Sequence, residues 1–167
     1  MTTTFTYTAN PARVVFGDGT AAQAGDEAAR LGVSRVLLLC GPSLAGAAQP
    51  VRDALGPLLA GEFGGAAMHT PVEVTRRALD VLRAHDADGL VAVGGGSTTG
   101  LAKALAARTG LPQIILPTTY AGSEVTPVLG ETEDGRKTTR SSPAILPETV
   151  IYDVRLTLGL PVATSVC

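Results

Sequence analysis

The sequence predicts an α/β, Rossmann-like fold: an open, mostly parallel sheet with helices on both faces and a β-hairpin excursion near residues 125–140. Three observations predict it. Short β-branched runs alternate with longer runs rich in Ala, Leu and Arg, the pattern of repeated strand–helix–strand units. Two of the short runs, RVLLLC (35–40) and GLVAV (89–93), are apolar at nearly every position, as in strands covered on both faces. The second of these runs straight into three glycines and then a helical pattern.

The elements follow in order. Residues 4–8 alternate polar and aromatic side chains, as a half-exposed strand does. Residues 13–16 form a second strand, stopped by Gly17-Asp18-Gly19, and residues 21–31 read as a helix closed by Gly32. After the 35–40 strand, Gly41-Pro42-Ser43 turns the chain. A helix is expected over 45–59, with a break near Gly56-Pro57, and a weaker strand over 63–68. Thr70-Pro71-Val72-Glu73 has the composition of a capping box with Pro at the first helical position, so a helix is expected from there to His85. The 89–93 strand leads through the glycines to a helix ending near Thr109, and residues 113–116 form a strand closed by Pro117. Residues 125–129 and 137–140 flank Asp134-Gly135, a hairpin turn signal. Residues 149–152 are the last strand, and 156–167 are too few to fold alone.

Composition narrows the function. A chain of 167 residues that is 45% hydrophobic and 17% charged has enough apolar material for one core and is not of the disordered class. With 13 Lys and Arg against 15 Asp and Glu, it lacks the basic excess that nucleic-acid binding requires. No apolar run is long enough to span a bilayer, and the start MTTTFTYTANP has no signal-peptide pattern. Cys40 and Cys167 do not suggest a disulfide scaffold, so a cytoplasmic setting is expected. His69 and His85 have no metal-like spacing, so no metal site is expected in the chain, and no nucleophile–base pair stands out.

The sharpest local feature is GLVAVGGGSTTGLAKAL (89–105). Gly94, Gly95 and Gly96 lack Cβ atoms, so backbone amides at the helix start can approach an anion, with Ser97 and Thr98 as added hydroxyl donors. The competing reading is a tight strand-to-helix turn with Ser97 as its N-cap. The stretch is neither the dinucleotide fingerprint, since Thr99 takes the place of its third glycine, nor a Walker A loop. A second polar loop, Pro117-Thr118-Thr119-Tyr120-Ala121-Gly122-Ser123-Glu124, follows the next strand. It either shares a crevice with the first, at the carboxyl ends of the strands, or is a plain connection. Lys137, in the run Arg136-Lys137-Thr138-Thr139-Arg140, is a binding candidate or part of a solvated hairpin.

Residues 94–139, GGGSTTGLAKALAARTGLPQIILPTTYAGSEVTPVLGETEDGRKTT, closely resemble maleylacetate reductases of the iron-containing alcohol dehydrogenase superfamily. Residues 10–20 and 146–161 look like the same family. The resemblance implies NAD(P)H-dependent reduction of maleylacetate to 3-oxoadipate, a step in breaking down aromatic compounds. It implies that Gly94, Gly95, Gly96, Ser97 and Thr98 form the pyrophosphate loop and that Thr118, Thr119 and Tyr120 contact the nicotinamide half. It also implies that Lys137 binds cofactor or substrate and that Thr70 and Pro71 lie near the adenosine. Gly100 departs from the superfamily's GGGSxxDxAK, as it does in maleylacetate reductases. Cys40-Gly41-Pro42 stands where a carboxylate often selects NAD, so NADPH is expected to be accepted as well as NADH.

Family members are about twice as long, with a helical second half that carries the metal or its replacement residues. Residues 1–160 are therefore expected to be a dinucleotide-binding domain and 161–167 the truncated start of a helical one. The catalytic residues stay unknown at this point. The expected partners are a small-molecule substrate and either a second copy in a homodimer or the missing helical domain. Two alternatives stay open: a non-catalytic nucleotide-binding or protein-interaction module, and a truncation recruited to different chemistry.

Overall fold

The computed structural model describes residues 13–165; the strand expected over residues 4–8 lies outside them. The chain forms β1 (Arg13–Gly17), α1 (Ala24–Arg30), β2 (Val36–Cys40), α2 (Gln49–Leu55), β3 (Leu59–Phe63), α3 (Val72–Ala84), β4 (Gly89–Gly94) and α4 (Gly96–Thr109). It continues with β5 (Gln113–Pro117), β6 (Val128–Glu133), β7 (Arg136–Ser141), β8 (Thr149–Asp153) and a short α5 (Val162–Ser165). Six strands make one sheet in the order β1-β8-β5-β4-β2-β3, every pair parallel, while β6 and β7 form a separate antiparallel hairpin.

The expected α/β architecture follows from the alternation of side chains along the central strands. In β2, Val36, Leu38 and Cys40 face one layer with Ala24 and Ala28 of α1 and Val51 and Leu55 of α2. Leu37 and Leu39 face the other, with Ala78 and Leu82 of α3 and Leu101 and Leu105 of α4. Each fully buried Leu or Val contributes about 1.5–3 kcal/mol, so a strand that is apolar on both faces is stable only where helices cover both. Among the described residues, no helix is long and apolar enough to cross a membrane.

Four local expectations are corrected. The helix placed over 45–59 is confined to 49–55, and the strand placed over 63–68 comes four residues earlier. Gly56, at φ 48°, and Pro57 end the helix, and the chain enters β3 at once to pair with β2. Gly61 lies within β3, where its bare Cα leaves room for the ring of His85, which a Cβ would meet at 2.6 Å. The helix expected over 21–31 begins as a 3₁₀ turn (Thr20–Gln23) whose Gly19 and Ala21 amides donate to the buried Asp153 carboxylate. Gly32 follows α1 at φ 75°, as its role at the helix end requires. The capping box at Thr70 does not form. Pro71 is the N-cap of α3, with no side-chain bond, and Thr70 sits at φ 45°, its carbonyl accepting from the amide of Thr132 in β6. Tertiary pairing with the hairpin overrides the local signal.

Candidate functional site

The topology sets where a ligand can enter. The chain leaves β2 toward α2 on one face and leaves β4, the adjacent strand, toward α4 on the other. Carboxyl ends that diverge in this way open a crevice, the usual ligand position in such sheets. The triglycine lies there. Gly94 ends β4, Gly95 is the extended N-cap of α4, and Gly96 is its first residue, so Ser97 is not the N-cap. The amides of Thr98 and Thr99 donate to the Gly95 carbonyl, each at 3.1 Å. Gly96 and Ser97 lie too early in the helix to have a carbonyl partner within it. No acidic residue occupies this first turn, so the positive end of the 14-residue helix is unopposed.

The three glycines are needed for different reasons. A Cβ on Gly94 would stand 2.3 Å from Thr98 Oγ1, and one on Gly95 would stand 2.9 Å from Thr119 Cγ2. Both are bare because the protein's own side chains fill the space. Gly96 is exposed, and a Cβ there would meet only Ala121 Cβ at an ordinary 3.5 Å. Close approach by an anion is thus available at Gly96 and Ser97 rather than along all three glycines. Thr98, buried and folded back over Gly94, supports the bend from within.

Both loops do meet. The Thr118 amide donates to the Gly94 carbonyl at 3.0 Å, and Thr119 packs on Gly95. On the other side, a cavity of about 350 Å³ is lined by Thr70, Gly96, Ser97, Gly100, Lys103 and Lys137. Lys137, opposite Thr132 in the hairpin register, is therefore brought to the helix start. Thr70 fills the place of the missing side chain at 100: a Cβ there would lie 2.4 Å from Thr70 Oγ1. Tyr120 is 67% exposed and lines a different, smaller pocket with Phe16 and Tyr152. A larger cavity of about 730 Å³ between α3, α4 and the hairpin is lined by Asp134, Arg136 and two ion pairs, Arg76 with Glu133 at 2.6 Å and Arg108 with Glu131 at 2.8 Å.

Sequence reasoning missed Lys103. It is buried inside α4, and its Nζ donates to the Ser123 carbonyl, to Thr126 Oγ1 at 3.0 Å and to the Val128 carbonyl at 3.0 Å. Burial pushes its pKa down to about 8, against the opposing pull of Glu124. The available signal was a lone cation in an apolar run, LAKALA, three residues beyond Gly100 and seven beyond Gly96 on one helical face. Glu124, also buried, accepts from the Tyr152 hydroxyl at 2.9 Å. Burial and that carboxylate push the phenol up to about 12. Among the described residues, no group of three His, Cys, Asp or Glu is placed to hold a metal ion.

A sequence profile of the iron-containing alcohol dehydrogenase family matches residues 11–154. Maleylacetate reductase 1 of Rhodococcus opacus is 63% identical over 162 residues, which cover 97% of this chain and 45% of that protein. Maleylacetate reductase of Rhizobium sp. is 60% identical, over 96% of this chain and 46% of that protein. The crystal structure of maleylacetate reductase from Agrobacterium tumefaciens superposes with a TM-score of 0.92 at 58% identity, covering 98% of this chain and 47% of that one. Sulfoacetaldehyde reductase from Bifidobacterium kashiwanohense, solved in complex with NAD+, superposes with a TM-score of 0.87 at 28% identity, over 98% of this chain and 50% of that one. The chain spans about half the length of the curated relatives it matches.

Proposed function

Because the chain belongs to the iron-containing alcohol dehydrogenase family, we propose that it is the cofactor-binding half of an NAD(P)H-dependent maleylacetate reductase. The observation that carries this reading is the open first turn of α4. The Gly96 and Ser97 amides, with no acidic neighbour in the turn, border a cavity that also receives Lys137. This donor set fits a diphosphate. When bound, the nicotinamide supplies the hydride that reduces the substrate.

The chain's own residues bind and orient. Gly96 and Ser97 hold the diphosphate, and Gly94, Gly95 and Thr98 keep the bend closed behind them. Thr118 and Thr119, locked to that bend, support the nicotinamide half, and Tyr120 stands at its outer side. Lys137 adds positive charge from the hairpin. The end of β2, at Cys40-Gly41-Pro42, carries no carboxylate to repel a 2′-phosphate, which supports use of NADPH as well as NADH. The proposed setting is a cytoplasmic homodimer. The exposure of Val14 on edge strand β1 supports a second copy as partner.

The test is a fluorescence titration with NADH. Saturable binding in the micromolar range is expected. Gly96→Val, which places a branched side chain where the diphosphate would lie, should weaken it by about tenfold or more, equivalent to about 1.4 kcal/mol, without lowering Tm. Equal affinity in both proteins would overturn the assignment of the glycine bend.

A further inference from the structure

Gly96, Gly100 and Lys103 stand at i, i+4 and i+7 on one face of α4, and all three line the 350 Å³ cavity. Two of them have no side chain, so the chemistry of that wall belongs to Lys103, which is 1% exposed. An ammonium has three N–H donors. All three are used within the protein, on the Ser123 carbonyl, Thr126 Oγ1 and the Val128 carbonyl, and none is left for a ligand. The acceptors lie on the segment that joins the 118–120 loop to β6. One buried side chain therefore ties α4 to the stretch between the two arms of the candidate site, the loop with Thr118 and Thr119 and the hairpin with Lys137.

We infer that Lys103 is a positioning residue for the cofactor, holding the 123–128 segment so that both arms close on the first turn of α4, and that it does so only as the ammonium. The inference rests on the cofactor reading above. A neutral amine keeps two N–H donors for the two carbonyls, and its bond to Thr126 survives only if that hydroxyl turns away from the Ser123 carbonyl, to which it donates at 3.1 Å, so deprotonation breaks one bond of the tether and removes a cation from the wall of an anion site.

The charged surroundings are few. Glu124, on the tethered segment, faces Lys103 but also accepts from Tyr152. His69 and Lys137 stand across the cavity. On β6, Glu131 is held by Arg108 and Arg140. With Lys103 titrating at about 8, cofactor affinity should fall as pH rises through that value. Stability moves the other way. A lysine whose folded pKa lies below its ordinary 10.5 binds fewer protons folded than unfolded between the two values, so its deprotonation favours the fold there. A loss of affinity above pH 8 is then not a loss of structure.

The experiment is NADH titration between pH 7 and 9.5, with Tm recorded at each pH, on the wild-type chain and on Lys103→Met. Wild-type Kd should rise about tenfold across the range, while Lys103→Met should bind at pH 7 as weakly as wild type at pH 9.5 and show no pH dependence. Should Lys103→Met fail to fold, the wild-type chain decides alone. At pH 8.5, NADH binding must take up protons, seen as a binding heat that differs between buffers of different ionisation enthalpy, and no uptake overturns the inference. NADH binding indifferent to pH and to Lys103 overturns this inference alone, whereas no saturable binding at any pH overturns the cofactor reading with it.

Discussion

At the scale of single residues, adjacent glycines differ in what they tolerate. Gly94→Ala drives a Cβ to 2.3 Å from Thr98 Oγ1 and 2.7 Å from Thr98 Cβ, in a place packed between a strand and its own helix. Overpacking of this kind costs about 1–3 kcal/mol. Gly96→Ala meets ordinary contact at an exposed helix start. Thermal melts should show Gly94→Ala lowered by several degrees and Gly96→Ala unchanged or slightly raised. Equal losses in the two would mean that the bend is not packed as described. The sequence made the glycines conspicuous without separating these roles, because the distinction depends on Thr98 and Thr119, which reach the bend only in the folded chain. What Lys103 binds was illegible for a related reason: its three acceptors lie 20 to 25 residues away in the chain. Lys137, by contrast, was legible only through family resemblance, since spacing alone could not tell a solvated hairpin from a cavity wall.

At the scale of elements, the central strands were readable because burial on both faces leaves unbroken apolar runs, as in β2 and β4. The α2–β3 boundary and the Thr70 turn were not, since long-range pairing decides both. The junction of β1, α1 and β8 is another place where distant residues decide. Buried Glu27 accepts from Arg13 Nε at 2.9 Å, from Arg30 Nε at 2.8 Å and from Thr149 Oγ1 at 3.4 Å. Burial pushes its carboxyl up, but the two guanidiniums outweigh this and hold it below its ordinary 4.5. A carboxyl depressed on folding contributes stability above its unfolded pKa and loses it as pH falls through the folded value. Glu27→Gln should cost about 1–3 kcal/mol at pH 7, given that both arginines stay partly in solvent. In urea melts the gap between the two proteins should narrow below pH 4.5. A gap that is constant down to pH 3 would show that the charge contributes nothing.

At the scale of the whole molecule, the sheet's carboxyl edge carries more apolar surface than its own helices cover. Phe16 is 73% exposed and Tyr120 67%, and both border the pocket at the ends of β1, β5 and β8; Leu158 is 81% exposed just beyond β8. Apolar groups gathered at one site usually face a partner. The chain spans about half the length of the relatives it matches, and on the cofactor-half reading proposed above a second half would cover this edge and exclude water from the nicotinamide. NADH binding and maleylacetate turnover should then separate. The chain alone should bind NADH without oxidising it. Mixing it with the separately produced second half of the Rhodococcus opacus enzyme should produce loss of NADH absorbance that depends on maleylacetate. Amide exchange at residues 16 and 120 should slow in the same mixture, because burying that edge removes solvent from both. Turnover by the chain alone would mean that the substrate site is complete within these residues. Binding without turnover in either preparation would favour a nucleotide-binding module over a reductase.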